Sequence, residues 1–271
     1  MKNRVLVVAV VITMAACKND PNESTRTQSS PAETEIQIAT DSVPQDTGAA
    51  LQVIARHDLS PTDLYTDYDG GNQLQDYFVI ELIDKATFLK NKQLAVSFIS
   101  GDSTTFRKVN GELKLPCTNG SITFTDNISG NEKHKEFNFV GDVSTLNVYL
   151  LSGIYWEDWD YFFVDKQTGQ TKQRFSNFPY LSVDQQFIVS IDIDSFEGAA
   201  YIDLYQVTDR RYIDPLIGMY VKSWIPVSSI DTIYWSKDNY LYIPVVNSRD
   251  YWEANGNYSG LDQYIRLKPV A

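Results

Sequence analysis

The sequence predicts an all-β, antiparallel domain, and three observations carry that prediction. From about Leu51 onward, short runs of aromatic and β-branched residues recur, and the 17 Tyr, 13 Phe and 5 Trp fall in that part. Turn-forming pairs and Gly-bearing tetrads separate the runs, as between strands of a meander. No stretch keeps helical periodicity over three turns.

Taken in order, Tyr77 to Ile83 is a nearly continuous apolar strand, and Ala86 to Lys92 fits one or two helical turns. Leu94 to Ile99 resumes extended structure. Phe106 to Val109, then Asn110-Gly111, then Glu112 to Leu115 reads as a hairpin. Asn-Gly accepts the positive φ values that a type I′ turn demands. Ser121 to Thr125, Glu136 to Val140 and Leu146 to Leu151 are further strands.

Between about Asp160 and Val246 the pattern repeats. Tyr161 to Asp165 leads into Lys166-Gln167-Thr168-Gly169, where Gly169 suits a left-handed position. Pro179-Tyr180-Leu181, the turn Ser182 to Gln186 and the strand Phe187 to Ile191 follow. Downstream, Tyr201 to Val207 matches the first strand, Ile233 to Asn239 the turn, and Tyr240 to Val246 the strand after it. The upstream half shows no such copy, and Gln263 to Leu267 opens or closes a unit.

This pattern resembles a blade of a β-propeller of the TolB-like or prolyl-oligopeptidase-like type, over roughly a third of the chain. In that family an Asp-x-x-Thr-Gly hairpin and a Ser-Pro-Asp-Gly turn recur at about 40–45 residues. Val183 and Lys237 stand where the family has Pro, and Gln185 and Asn239 where it has Gly. The resemblance implies propeller-like blades in 160–246, as an incomplete or irregular propeller. A β-sandwich is the alternative.

The first residues address the chain. Met1-Lys2-Asn3-Arg4 is basic, Val5 to Ile12 is apolar, and small residues precede Cys17. These are the parts of a secretory signal. The apolar run is shorter than the roughly 20 residues of a membrane span. Met14-Ala15-Ala16-Cys17 resembles a lipobox, although the family prefers Leu where Met14 stands. The resemblance implies cleavage before Cys17 and acylation of its thiol, with 1–16 removed as the signal. Stable attachment takes two membrane signals, which a diacylglyceryl group supplies. From Lys18 to about Gly48 polar residues dominate and aromatics are absent, so 17–50 reads as the lipidated cysteine and a disordered tether before a domain at 51–271.

Composition narrows the partners. Lys+Arg 23 against Asp+Glu 35 gives a formal charge of -12, and losing Lys2 and Arg4 deepens it. Nucleic acid and anionic headgroups are repelled by such a chain, so the acyl chains on Cys17 hold it at the membrane. Of the 2 cysteines, Cys117 has no partner once Cys17 is acylated, and its setting beside strands reads as a buried thiol.

Signals for catalysis are thin. No Gly-x-Ser-x-Gly, His-Glu-x-x-His, Cys-x-x-Cys or phosphate-cradling loop occurs. His57 and His134 read as surface histidines, and no catalytic residue, cofactor or metal is assigned. Asp192, Asp194 and Glu197 form an acidic group without the spacing of a calcium loop. Tyr251-Trp252 with Asn255 to Tyr258 makes an aromatic, turn-rich loop.

The densest mixture of acid and aromatic is Trp156-Glu157-Asp158-Trp159-Asp160. Read as a strand, it puts Trp156, Asp158 and Asp160 on one face and Glu157, Trp159 and Tyr161 on the other. Alternate residues then lie about 6.5–7 Å apart, near the spacing of an inverting glycosidase pair. An exposed indole beside carboxylates also builds a sugar-binding surface, and packing in the core is the ordinary explanation. Trp156, Glu157, Asp158 and Trp159 are the candidate ligand-binding residues.

The expected protein is an envelope lipoprotein at the outer membrane, acting as a binding module for a protein or glycan partner. A glycan or peptide hydrolase using carboxylates and a structural part of an envelope assembly are the alternatives. The resemblance to uncharacterised Gram-negative envelope lipoproteins implies location and shape, and no activity. Replacing Cys17 by Ser should abolish metabolic labelling with a fatty acid and leave the precursor uncleaved. Label retained on that variant would remove the anchor.

Overall fold

The computed structural model describes residues 58–66, 71, 73–194, 198–209, 212–227, 232–253 and 263–270. The signal, Cys17, the tether and His57 lie outside the described residues. Those described are mostly strand, arranged in several antiparallel sheets with no closed barrel.

In chain order the first elements are β1 (Phe78–Ile83), α1 (Lys85–Lys92), β2 (Ala95–Val96), β3 (Glu112–Cys117) and β4 (Gly120–Thr125). The central strands are β5 (Lys135–Val143), β6 (Val148–Tyr155), β7 (Trp159–Asp165) and β8 (Thr171–Phe175). Next come β9 (Tyr180–Leu181), β10 (Phe187–Asp194), β11 (Ala199–Thr208) and β12 (Tyr212–Val221). The last are β13 (Trp224–Pro226), β14 (Tyr234–Ser236), β15 (Leu241–Asn247), α2 (Ser248–Glu253) and β16 (Gln263–Pro269).

β5-β6-β7-β8 and β9-β10-β11-β12 are each a four-stranded meander, the order of strands in a propeller blade. β3 and β4 pair only with each other. The remaining sheet runs β1-β16-β15-β14-β2, with β13 along the same edge of β15 as β14. β16 is a closing strand: it pairs with β15 on one side and with β1, from the start of the domain, on the other.

Side-chain alternation along the strands stacks these sheets face to face. On β6, Val148 and Leu150 join Phe163, Phe175, Ile188 and Tyr205 in one apolar layer. Their neighbours Tyr149 and Leu151 join Leu113, Leu115, Phe137 and Phe162 in the layer against the β3–β4 hairpin. A strand buried on both faces must read as an unbroken apolar run, and Val148-Tyr149-Leu150-Leu151 does. The same logic puts Val189, Ile191 and Ile202 against Trp235, Leu241 and Ile265 of the last sheet. The outer face of that sheet is covered by α1, whose Phe88 packs on Tyr234, Tyr242 and Tyr264. Asp84 caps α1 by accepting the Thr87 N–H at 2.6 Å, and that bond holds its carboxyl below the usual range.

The repeat extends further upstream than its sequence shows. Ser144 to Asn147, Ser182 to Gln185 and Ser236 to Asn239 form equivalent turns. In each, the fourth residue donates its N–H to the first carbonyl, at 3.1, 2.9 and 2.8 Å. The fourth residue is left-handed in each, with φ of 54, 61 and 62°. Cross-bonds lock two of these turns together: Asn239 donates to Asp184 at 2.6 Å and accepts the Val183 N–H at 3.1 Å.

One hairpin is corrected. Asn110 and Gly111 do adopt positive φ, 52 and 76°, and Val109 and Glu112 exchange both backbone bonds. Pairing stops there, and β3 runs alongside β4 instead. Phe106 turns inward, its ring 4.9 Å from Phe139 and 5.6 Å from Tyr149, and Lys108 is drawn to Asp126 at 2.6 Å. The extended run at 94–99 likewise shrinks to β2 and a bridge from Ser100 to Asp142. Cys117 is half-buried, not buried, because it sits at the open β3–β4 turn.

Gln185 is the poor fit among the three turns. A left-handed L-residue costs about 1–2 kcal/mol, and the buried Oε1 of Gln185 has no partner among the described residues. Gln185→Gly loses about 0.5–1 kcal/mol to unfolded-chain entropy and relieves the larger strain. Chemical denaturation should therefore show a gain of roughly 0.5–1 kcal/mol, while Asn239→Ala should destabilise. A Gly variant less stable than the parent would mean the turn is not strained.

Candidate functional site

Trp156, Glu157 and Asp158 form the turn between β6 and β7, which pair from Val148 opposite Asp165 to Ile154 opposite Trp159. The extended reading is thereby corrected for 156–158, whereas Trp159 and Asp160 open β7 and do lie on alternate faces. The chain must reverse here because both strands are needed, side by side, to fill the same two apolar layers. Tyr155 donates its N–H to the Asp158 carbonyl at 2.7 Å, and the Asp158 carboxylate accepts the Trp159 N–H at 2.8 Å.

All four candidate residues are brought to this one hairpin tip. Trp156 is 49% exposed, Trp159 51% and Ile154 42%. Ile154 and Trp159 are cross-strand partners, so they form one apolar pair on one face. A shallow groove of about 460 Å³ is lined by residues 152–161.

The opposite face of the tip is braced. Arg174 on β8 forms an ion pair with Asp160 and donates to the Tyr155 hydroxyl at 3.0 Å. Tyr155 in turn donates to Asp160 at 3.2 Å. The Arg174 guanidinium lies 4.7 Å over the Phe162 ring. Gly153 faces Asp160 across the strands, and its missing side chain makes the space: a Cβ there would lie 2.5 Å from the Tyr155 hydroxyl. Burial first, then the Asp160 charge, pushes the Tyr155 phenol up, against the pull of Arg174. Asp160 is neutralised by its cation. Glu157 and Asp158 have no cation partner among the described residues.

The other sequence candidates are dispersed. Asp192 accepts from the Asn177 side chain at 3.0 Å, while Glu197 and the Asp194 side chain lie outside the described residues. Among the described residues no group of His, Cys, Asp and Glu is placed to hold a metal. The His134 Nδ1 lies 2.9 Å from the Ser129 carbonyl and closes its own loop. Trp252 on α2 packs over Gly198, and Asn255 to Tyr258 lie outside the described residues.

Asp203 is the residue that sequence reasoning missed. It sits half-buried on β11 beside Tyr201 and Tyr205 and accepts from Ser176 at 2.9 Å. Burial first, and the nearby Asp192 charge, raise its carboxyl, while bonds from Ser176, Tyr201 and Tyr205 oppose this. The signal was available: an acid at the centre of Tyr201-x-Asp203-x-Tyr205 shares the face of two aromatics. Fully buried Ser190 completes the network, holding the Asn177 backbone at 3.0 Å through both its donor and its acceptor. Its task in the fold is to fasten the β8–β9 connection. A second crevice, of about 270 Å³, lies where residues 95–99 cross Tyr180, Leu181, Tyr234 and Trp235, and its lining is mostly apolar.

No protein-family model matches the chain, and no curated protein or solved structure matches it.

The tip indoles and the core indoles should respond differently to deletion. Trp156→Ala and Trp159→Ala should each cost at most about 1 kcal/mol in chemical denaturation, near the range of surface substitutions. Trp224→Ala and Trp235→Ala, at 0% and 2% exposure, should cost about 3–5 kcal/mol. Comparable losses at the tip would make it core and end its candidacy as a site.

Proposed function

We propose that this chain is a lipid-anchored envelope protein whose β domain acts as a binding module, with the β6–β7 tip as its contact surface. The observation that carries this reading is the pair of half-exposed indoles, Trp156 and Trp159, on a tip braced by Arg174, Asp160 and Tyr155. Trp is the residue most often found to dominate binding energy at interfaces. Bracing means that little side-chain and loop entropy remains to be lost when a partner docks. No helix among the described residues is long and apolar enough to cross a membrane. The anchor in this proposal is Cys17, on the strength of the lipobox resemblance.

Quantitative capture from envelope extracts with the wild-type chain and a Trp156→Ala/Trp159→Ala double variant tests the proposal. Components retained by the wild type should fall at least about fivefold with the double variant, the loss of roughly 1 kcal/mol at a hot spot. Identical capture profiles would show that the tip is not the contact surface.

A further inference from the structure

We infer that the β6–β7 tip receives a cationic, lysine- or arginine-bearing polypeptide segment. The inference rests on the binding reading above and names its ligand class. The tip offers such a segment complementary charge and hydrogen-bond acceptors.

Asp160 is neutralised by Arg174 and, with Tyr155, lies on the face of the sheet that carries Phe162. Trp159 and Ile154 lie on the other face, because side chains alternate along a strand. Glu157 and Asp158 sit at the turn between them, exposed and without a cation partner among the described residues. A ligand approaching Trp156 and Trp159 therefore meets two π faces and two uncompensated carboxylates.

That set discriminates between ligand classes. Carboxylates only accept hydrogen bonds and an indole offers one N–H donor, so a neutral polyol could bond to the tip but would leave both carboxylate charges uncompensated. An anion would be repelled by these acids and by the chain's formal charge of -12. An ammonium or guanidinium satisfies both features at once, as an ion pair to Glu157 or Asp158 and as a cation over an indole. The aliphatic stems of Lys and Arg suit the apolar Ile154–Trp159 pair.

The test is fluorescence polarisation on the purified full-length protein. The probes are a labelled Gly-Lys repeat peptide, its Gly-Glu counterpart and a labelled neutral chito-oligosaccharide. Binding of the lysine peptide alone is expected, weakening as salt rises because the charges are exposed. Trp156→Ala and Trp159→Ala should each weaken it about two- to fivefold, the range of an exposed cation–π contact. Glu157→Gln/Asp158→Asn should weaken it further. That pair keeps the acceptor for the Trp159 N–H.

Glu112→Gln/Glu132→Gln removes the same charge from exposed positions elsewhere and should leave binding unchanged. Equal weakening in this control would mean that the acidic surface binds polycations without a site, and would overturn the inference. Binding of the oligosaccharide instead, lost with the Trp variants, would overturn the cation assignment and leave the tip as a binding surface. Binding of none of the three probes by a chain that remains folded in far-UV circular dichroism would overturn the inference, and the absence of tip-dependent capture would then overturn the binding reading as well.

Discussion

Strands β6 and β7 bury side chains on both faces, so neither can exist without apolar cover on each side. Each fully buried Phe or Leu stabilises by about 1.5–3 kcal/mol, but only if a neighbouring sheet supplies the other half of the layer. A sheet with two apolar faces therefore calls for another, and the stack grows until something with one polar face ends it. At one end that is the β3–β4 hairpin, with Leu113 and Leu115 inward and Glu112, Lys114 and Pro116 exposed. At the other it is α1, which lays Phe88 on the tyrosines and turns its lysines outward. This is the logic of capping in a linear repeat array. It explains how stacked blade-like sheets can end without closing a ring.

The last sheet adds a topological consequence. Its outer strand, β1, comes from the start of the domain, and its partner β16 from the end. Glu81 pairs with Arg266 across that seam, and the Arg266 guanidinium lies 4.3 Å over the Tyr240 ring. The two ends of the domain are thus held by one antiparallel ladder. The stack cannot be completed until nearly the whole chain is present, which makes the contacts long-range and folding correspondingly slow.

Much of the fold was legible from residues because double-sided burial leaves a visible trace: Val148 to Leu151 and Tyr161 to Val164 are apolar runs too short for helices. Gly169 and Asn239 were legible as turns because Gly has no Cβ to clash at positive φ and the short polar side chain of Asn tolerates it. The turn at Ser144-Thr145-Leu146-Asn147 was not, since it shares its Ser and Asn ends with Ser236–Asn239 but has Leu146 where the other two turns have Asp184 and Asp238. Leu146, at its centre, is buried in the layer between sheets. There tertiary packing selected the side chain and local turn chemistry did not. The Phe106–Val109 arm failed for a similar reason: the Asn110-Gly111 turn favours a hairpin, but burial of the Phe106 ring against Phe139 and Tyr149 outweighs a few edge hydrogen bonds.

At the candidate site the composition was legible and the geometry was not. A dense run of acids and indoles marks a surface feature, yet five residues cannot say whether the chain passes straight through or turns back. The answer lay in the flanks. Ile154 and Trp159 are equivalent positions on β6 and β7, and pairing them leaves too few residues for anything but a reversal. The reversal also explains the exposure. Along one face of β6, Leu150 is buried in the apolar layer, Ser152 is half-buried, and Ile154 already stands in solvent. The layer ends at Ser152, so whatever follows projects beyond the stack. A projecting hairpin would ordinarily fray, because fraying ends have little to lose in buried contacts. Here the polar network of Arg174, Asp160 and Tyr155, fitted into the space left by Gly153, replaces the missing apolar layer on one face. The other face keeps the Trp159 indole exposed beside Ile154, and Trp156 stands exposed in the turn. An isolated hairpin tip gains nothing for folding from two exposed tryptophans, and rigidity without burial is what a preorganised contact surface requires.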